Sequence, residues 1–117
     1  MTDVTLDVKN PVVPSKMARG KFLVDSGAQY TVLSPEMVNK LGLKALDEQE
    51  FSLADRSVIK RKMSEAKVRF GRRERTVPVI LGEVNDTQLL GVTTLEVLGY
   101  VLNPLDRTIH EYELMPW

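Results

Sequence analysis

The chain's clearest chemical feature is the tripeptide Asp25-Ser26-Gly27, which lies between two apolar segments, residues 22–24 and residues 31–33. An ionised carboxylate that is buried without a partner costs several kcal/mol. A carboxylate between two buried strands therefore indicates a chemical purpose, and the carboxyl group of Asp25 is a candidate general acid or base.

A purely structural role for this tripeptide is the alternative. Asp25 and Ser26 would then be turn residues whose side chains hydrogen-bond to nearby amides, and Gly27 would adopt a positive φ. The tripeptide alone does not decide between the two interpretations. Its flanks favour chemistry, because an ordinary surface turn does not need an apolar strand on each side.

Composition limits the chemistry that the chain can perform. The 117 residues predict a single domain over residues 1–117, and 16 basic and 16 acidic side chains cancel, which does not favour nucleic-acid binding. Cysteine is absent and His110 is the only histidine, so disulfides, thiolate catalysis and a multi-histidine metal site are excluded. We expect no metal and no cofactor, and His110 at the surface. The cluster Gly71-Arg72-Arg73-Glu74-Arg75 predicts a solvated hairpin turn.

The N-terminus lacks a basic start and an apolar core, so it predicts no signal peptide. No apolar run approaches the roughly 18 residues that a membrane span requires. The sequence therefore predicts a cytoplasmic protein without a membrane partner.

Apolar periodicity predicts a mostly β fold that positions the tripeptide on strands. The expected strands are residues 4–9, 16–24, 30–33, 89–91 and 100–102, with an extended tail through residues 110–114. Two hairpins are expected, one with arms 49–53 and 57–61 and the other with arms 66–70 and 76–81. Pro78 in the last arm predicts an edge position or a bulge.

Two short helices are expected between these strands. Ser34 before Pro35 is a typical helix start, and Gly42 ends that helix. Thr93 and Glu96 have the spacing of a capping box for the second helix, which Gly99 ends.

Asp25-Ser26-Gly27-Ala28, followed by Thr31-Val32-Leu33, resembles the catalytic loop of the retropepsin-like aspartic proteases. Leu89-Leu90-Gly91 resembles the second signature of that family, about 64 residues after Gly27. Residues 94–99 lie where the family has a short helix, and the hairpin at residues 53–59 lies where it has a flap. The motifs Asn10-Pro11, Ala54-Asp55, Leu95-Glu96 and Leu98-Gly99 are more similar to the small bacterial and archaeal members than to the viral ones.

The resemblance implies a closed or partly open β-barrel of the retropepsin type that is active as a homodimer. One chain supplies one catalytic Asp25, so two copies would together activate a water that hydrolyses a peptide bond, without a cofactor. Ser26 would hydrogen-bond across the dimer axis, and Gly27 would let the backbone approach an extended peptide or protein substrate. The residues that the resemblance places around the substrate are Leu23, Ala28, Tyr30, Val32, Thr87 and Leu89 as walls and Leu53, Ala54, Asp55, Arg56, Ser57 and Ile59 as the flap.

The chain departs from the viral pattern at three places. Gln29 and Val92 stand where retroviral members carry an Asp and an Arg. In those members the two residues form an ion pair that supports the active-site loop. Both are missing here, so neither leaves an unpaired charge. The flap tip contains no glycine, and the chain ends do not copy the viral dimer interface. A catalytically silent peptide-binding or dimerisation module on the same fold is therefore the main alternative. A structural β-barrel domain in which Asp25 only caps a turn is a third interpretation.

Overall fold

A computed structural model describes residues 2–103, 105 and 108–111. Its elements are β1 (Asp3–Lys9), β2 (Met17–Val24), β3 (Thr31–Leu33), α1 (Pro35–Leu41), β4 (Asp47–Ser52), β5 (Val58–Phe70), β6 (Arg73–Leu81), β7 (Leu89–Leu90), α2 (Val92–Leu98), β8 (Tyr100–Leu102) and β9 (Ile109–Glu111). The expected mostly β fold with two short helices is confirmed. Neither helix in the described part of the chain is long and apolar enough to cross a membrane.

Seven strands form one sheet in the order β1-β2-β7-β3-β6-β5-β4, and β1 also pairs with β5. The strand pairings therefore form a closed circuit of six strands, β1, β2, β7, β3, β6 and β5. Strand β4 pairs with β5 and is not part of this circuit. Two pairs are parallel, β2 with β7 and β3 with β6. Strands β8 and β9 form a separate two-stranded sheet.

The main core contains residues from every strand of this circuit. The alternation of β1 buries Leu6 and Val8 completely, and both helices add apolar residues to the same cluster. In α1, the Ser34 side chain accepts a hydrogen bond from the Met37 amide, and Gly42 ends the helix with a φ of 63°. The start and end signals of this helix are thus confirmed.

The start of α2 differs from the prediction. Gly91, not Thr93, is its N-cap residue and gives no side-chain hydrogen bond, so the capping box is wrong. Thr93 lies in the first turn instead. Gly99 ends the helix as expected, with a φ of 84°.

The two predicted hairpins share one strand, because residues 58–70 form a single strand with no break. The second hairpin is also tighter than expected, since Phe70 pairs with Arg73 and only Gly71 and Arg72 form its turn. Strand β6 lies between β3 and β5, so Pro78 is not on an edge strand. Its pairing with β3 nevertheless begins only at Val79, and Pro78 therefore lies where β6 has one partner.

The chain after β8 is described only in part. Leu105 and residues 108–111 lie in the described region, where His110 is exposed as expected. The predicted extended tail through residues 110–114 lies partly outside the described residues.

Candidate active site

The segment between β2 and β3 carries the candidate catalytic residues. The Asp25 amide donates to the Leu90 carbonyl at 3.4 Å, and the Ala28 amide donates to the Asp25 carbonyl at 3.1 Å. These bonds form a tight loop that rests on β7.

The Asp25 side chain is partly exposed at the surface of this loop. Its Oδ1 accepts a hydrogen bond from the Gly27 amide at 2.8 Å. Its Oδ2 has no hydrogen-bond partner among the residues that the structure describes. One carboxylate oxygen is thus oriented by the loop, and the other is available to a reactant.

Gly27 does not adopt the positive φ that a simple turn would require, because the described glycines with positive φ are Gly42, Gly71 and Gly99. A Cβ at position 27 would instead lie 3.2 Å from Asp25 Oδ1. Gly27 therefore gives the carboxylate room rather than backbone freedom.

Helix α2 supports the loop through hydrogen bonds. The Val92 amide donates to the Ala28 carbonyl at 2.9 Å, and the Thr93 amide donates to the Gln29 carbonyl at 3.0 Å. Gln29 Nε2 also donates to Thr93 Oγ1 at 2.5 Å. The loop and the first turn of α2 are therefore joined at consecutive residues.

A buried hydroxyl pair lies beneath this junction. The Oγ1 atoms of Thr31 and Thr94 are 2.6 Å apart, and Thr31 Oγ1 accepts a hydrogen bond from the Gly91 amide at 3.0 Å. A Cβ at position 91 would lie 2.3 Å from the Tyr30 carbonyl carbon. The second signature glycine is thus required by close backbone packing against the strand that follows Asp25.

Three of the predicted wall residues lie side by side. Leu89 pairs with Leu23 on one side and with Val32 on the other. All three are half-buried, whereas their chain neighbours Phe22, Val24, Thr31, Leu33 and Leu90 are buried in the core. Leu23, Val32 and Leu89 therefore form an apolar face on the opposite side of the sheet from the core, next to Asp25. We call this the Asp25 face.

The sequence analysis missed two residues that extend this face. The pairing continues from Val32 to Ile80 and from Ile80 to Met63. Both are buried but lie outside the main core cluster. Strand β6 is apolar on both faces at Val79 and Ile80, so no alternation in the sequence indicated that Ile80 belongs to a second layer.

The hairpin of β4 and β5 presents an inner face to this side of the molecule. Phe51 pairs with Ile59, and Gln49 pairs with Arg61. The Phe51 ring contacts the Tyr30 ring edge to face, with centroids 6.2 Å apart. The outer face carries exposed pairs such as Glu48 with Lys62. Phe51 was also missed, although it is the one apolar residue of β4 and could have been noticed for that reason.

The hairpin tip contains five of the six predicted flap residues, all of them exposed. The Leu53 amide donates to the Ser57 carbonyl at 2.9 Å, and Arg56 adopts a φ of 70° without being glycine. Asp55 Oδ1 accepts hydrogen bonds from the Ser57 hydroxyl and amide, which lower the pKa of this carboxyl. Of the six, only Ile59 lies within a strand, and it is half-buried on the inner face.

The remaining predicted residues flank the loop. Ala28 is partly buried in it, and Thr87 is exposed in the segment before β7. Ser26 is exposed and lines a groove with residues of α2 and β8, including Val92, Glu96 and Val101.

Residues 16–97 match the family model described as "gag-polyprotein putative aspartyl protease". The chain belongs to this aspartyl protease family. No curated protein matches the chain. The resemblance to retropepsin-like proteases is thereby confirmed at the level of the family.

The region matched by the aspartyl protease family includes the Asp25 loop, the β4–β5 hairpin, β7 and most of α2. Strands β1, β8 and β9 lie outside the match. The family therefore covers every residue that we place at the candidate site, except for residues of β8 in the groove beside Ser26.

Proposed function

We propose that this protein is an aspartic endopeptidase that acts as a homodimer, with a closed barrel of the retropepsin type in each subunit. The observation that carries the proposal is the Asp25 carboxylate. It lies beside the apolar Asp25 face, with one oxygen held by the Gly27 amide and the other without a described partner. Membership in an aspartyl protease family supports a catalytic role for that carboxylate.

The mechanism requires two copies, because one chain supplies a single Asp25. Two facing carboxylates that lie about 3 Å apart cannot both ionise, so they share one proton and titrate as a pair. The ionised carboxylate removes a proton from a water while that water's oxygen attacks the scissile carbonyl. The protonated carboxyl group donates to the carbonyl oxygen. Collapse of the tetrahedral intermediate then breaks the C–N bond. The leaving amine takes the proton that the first carboxyl group received from the water, and the second carboxylate takes back a proton from a hydroxyl of the intermediate, which restores the starting pair.

An extended peptide is the substrate that suits this arrangement. It would lie between the Asp25 face and the inner face of the β4–β5 hairpin, with its backbone paired to neighbouring strands. Leu23, Val32, Leu89 and Ile80 favour apolar side chains near the scissile bond.

The test is to incubate the wild-type protein and the Asp25→Asn variant with a mixed peptide library at pH 4 to 7. Cleavage is read by mass spectrometry, and the mass of each protein in solution is measured alongside. Asp7→Asn is the matched control, because Asp7 lies on the outer face of β1, away from the loop.

We expect cleavage by a wild-type dimer, with maximal activity below neutral pH, and none by an Asp25→Asn dimer. Cleavage that persists in Asp25→Asn would contradict the proposed mechanism. A stable wild-type dimer that binds peptides and cleaves none would instead support the catalytically silent module.

A further inference from the structure

An ion pair joins the β4–β5 hairpin to the segment that precedes β7. Arg61 Nε donates to Asp86 Oδ2 at 2.7 Å, and a terminal nitrogen of Arg61 donates to Asp86 Oδ1 at 2.9 Å. The side chains of Arg61 and Asp86 are only 16% and 25% exposed. A two-point pair with this much burial fixes orientation as well as distance.

Hydrogen bonds within its own turn also hold Asp86 in place, independently of Arg61. The Glu83 amide donates to Asp86 Oδ2 at 2.7 Å, and the Asp86 amide donates to the Glu83 carbonyl at 2.9 Å. The Glu83 carboxylate also lies 3.5 Å from Arg61. The acceptor is therefore part of a formed turn rather than a free side chain.

The segment that carries Asp86 is itself anchored to the sheet. Gln88 donates through its side chain to the Lys21 carbonyl at 2.9 Å and accepts from the Ser34 amide at 3.1 Å. The Gln88 carbonyl accepts from the Leu23 amide at 3.1 Å. Thr87 lies between Asp86 and Gln88, so the ion pair connects the hairpin to a fixed part of the candidate substrate wall.

The hairpin side of the pair is equally well placed. Arg61 and Ile59 are two residues apart on β5 and therefore point to the same, inner face. Phe51, the cross-strand partner of Ile59, makes the aromatic contact with Tyr30. The Phe51–Tyr30 contact thus connects the inner face to the segment after Asp25. The Arg61–Asp86 pair connects it to the segment before Leu89.

We propose that Arg61 and Asp86 are positioning residues that hold the β4–β5 hairpin over the Asp25 face. The proposal rests on the proposed peptidase function, because it assigns the hairpin a role in holding substrate. Neither residue touches the reacting atoms. Loss of the pair would leave Asp25 and its loop unchanged and would let the hairpin move away from the wall that carries Thr87.

The experiment compares Asp86→Asn with Asp7→Asn in the full chain. Asp7 is the matched control, because it accepts a two-point hydrogen bond from Arg19 on the outer face of the sheet, at 2.6 and 3.3 Å. Steady-state kinetics on a peptide that the wild type cleaves gives kcat and KM. Hydrogen exchange of the β4–β5 hairpin, read by mass spectrometry, reports its opening without any requirement for activity.

We expect Asp86→Asn to raise KM about fivefold with kcat within about twofold of the wild type, and to speed exchange in the hairpin. Asp86→Glu, which keeps the charge, should recover part of both effects, and Asp7→Asn should change neither. Equal behaviour of Asp86→Asn and Asp7→Asn in an active enzyme would overturn the proposal while leaving the proposed function intact. If the wild type cleaves nothing, the proposed function fails, and unchanged hairpin exchange in Asp86→Asn would overturn the positioning role as well.

Discussion

Gln29 and Thr93 are joined by two hydrogen bonds that run in opposite directions. The Thr93 amide donates to the Gln29 carbonyl at 3.0 Å, and Gln29 Nε2 donates to Thr93 Oγ1 at 2.5 Å. Position 29 is where retroviral relatives are expected to carry one partner of an ion pair. Here neutral groups connect the Asp25 loop to α2, so neither residue leaves a charge without a partner.

The first prediction tests this neutral replacement. Gln29→Asp replaces the amide donor to Thr93 with a carboxylate, so we expect it to lower the free energy of unfolding by about 1 kcal/mol. Adding Val92→Arg should recover most of that loss, because the arginine supplies the missing charge. Urea unfolding of both variants and of Val92→Arg alone measures the coupling. The free energies of unfolding of the two single variants predict a value for the double variant. If the double variant is no more stable than that value, the neutral pair of Gln29 and Thr93 does not replace an ion pair.

The second prediction concerns the buried hydroxyls of Thr31 and Thr94, neither of which is exposed. Thr31→Val keeps the shape but leaves the Gly91 amide and the Thr94 hydroxyl without their partner, which we expect to cost about 2 to 3 kcal/mol of unfolding free energy. Thr94→Val removes only one of these bonds and should cost less. Denaturant unfolding compares the two variants. An equal cost for both would mean that the bond to the Gly91 amide contributes nothing measurable.

Local signals were sufficient for much of the fold. The alternation in β1 and the Ser34, Pro35 and Gly42 signals around α1 depend on neighbours within a few residues, and the structure contains both elements as expected. Thr93 and Glu96 misled the reading of α2, because a threonine inside the first turn can show the same spacing as a cap. Strand β5 appeared as two arms because nothing in its sequence reveals that one continuous strand pairs with β4 over residues 58–63 and with β6 over residues 62–70.

The candidate site was only partly predictable for a different reason. Asp25, Gly27 and Gly91 were found because each belongs to a short contiguous motif, and Leu23, Val32 and Leu89 because they lie in or beside these motifs. Ile80 and Phe51 reach the same side through strand pairings between residues far apart in the chain. Periodicity shows which residues share a face, but it does not show which face lies opposite the core.

The third prediction separates the two signature glycines. Gly91→Ala places a Cβ 2.3 Å from the Tyr30 carbonyl carbon, where only a backbone shift can make room. We expect it to lower the free energy of unfolding by about 3 kcal/mol or more, because overpacking here moves main chain and not a flexible side chain. Gly27→Ala places its Cβ 3.2 Å from Asp25 Oδ1.

That contact at Gly27 involves a side chain that can move, so Gly27→Ala should fold with nearly wild-type stability. It should nevertheless lose activity, because the displaced carboxylate would no longer meet the second Asp25 carboxylate of the proposed dimer. Thermal unfolding and the peptide assay, run on both variants, distinguish the two effects. Comparable destabilisation by both alanines would show that the difference in close contacts does not control stability.

The last prediction follows from the charge environment of Asp86. Hydrogen bonding by the Arg61 guanidinium holds the pKa of the Asp86 carboxyl below its ordinary value, and the Glu83 amide and the Arg61 charge act in the same direction against the opposing effect of burial. Glu83 is the other carboxylate near Arg61, at 3.5 Å. A lowered folded-state pKa means that the pair adds stability above the unfolded pKa, which is about 4. That contribution disappears as pH falls through the lower folded-state pKa.

We therefore expect Asp86→Asn to be less stable than the wild type at pH 7 by about 1 kcal/mol, as for a partly exposed ion pair. The difference should shrink steadily as pH falls below about 4, because the wild-type carboxyl then becomes protonated and also loses its charge. Unfolding free energies of both proteins, measured by urea titration from pH 7 to pH 3, give this difference directly. Carboxylates that lie away from Arg61, among them Asp7, should contribute equally in both proteins and cancel in the comparison. A difference that stays constant down to pH 3 would mean that asparagine disturbs packing at this position and that the ionised form of Asp86 is not what stabilises the pair.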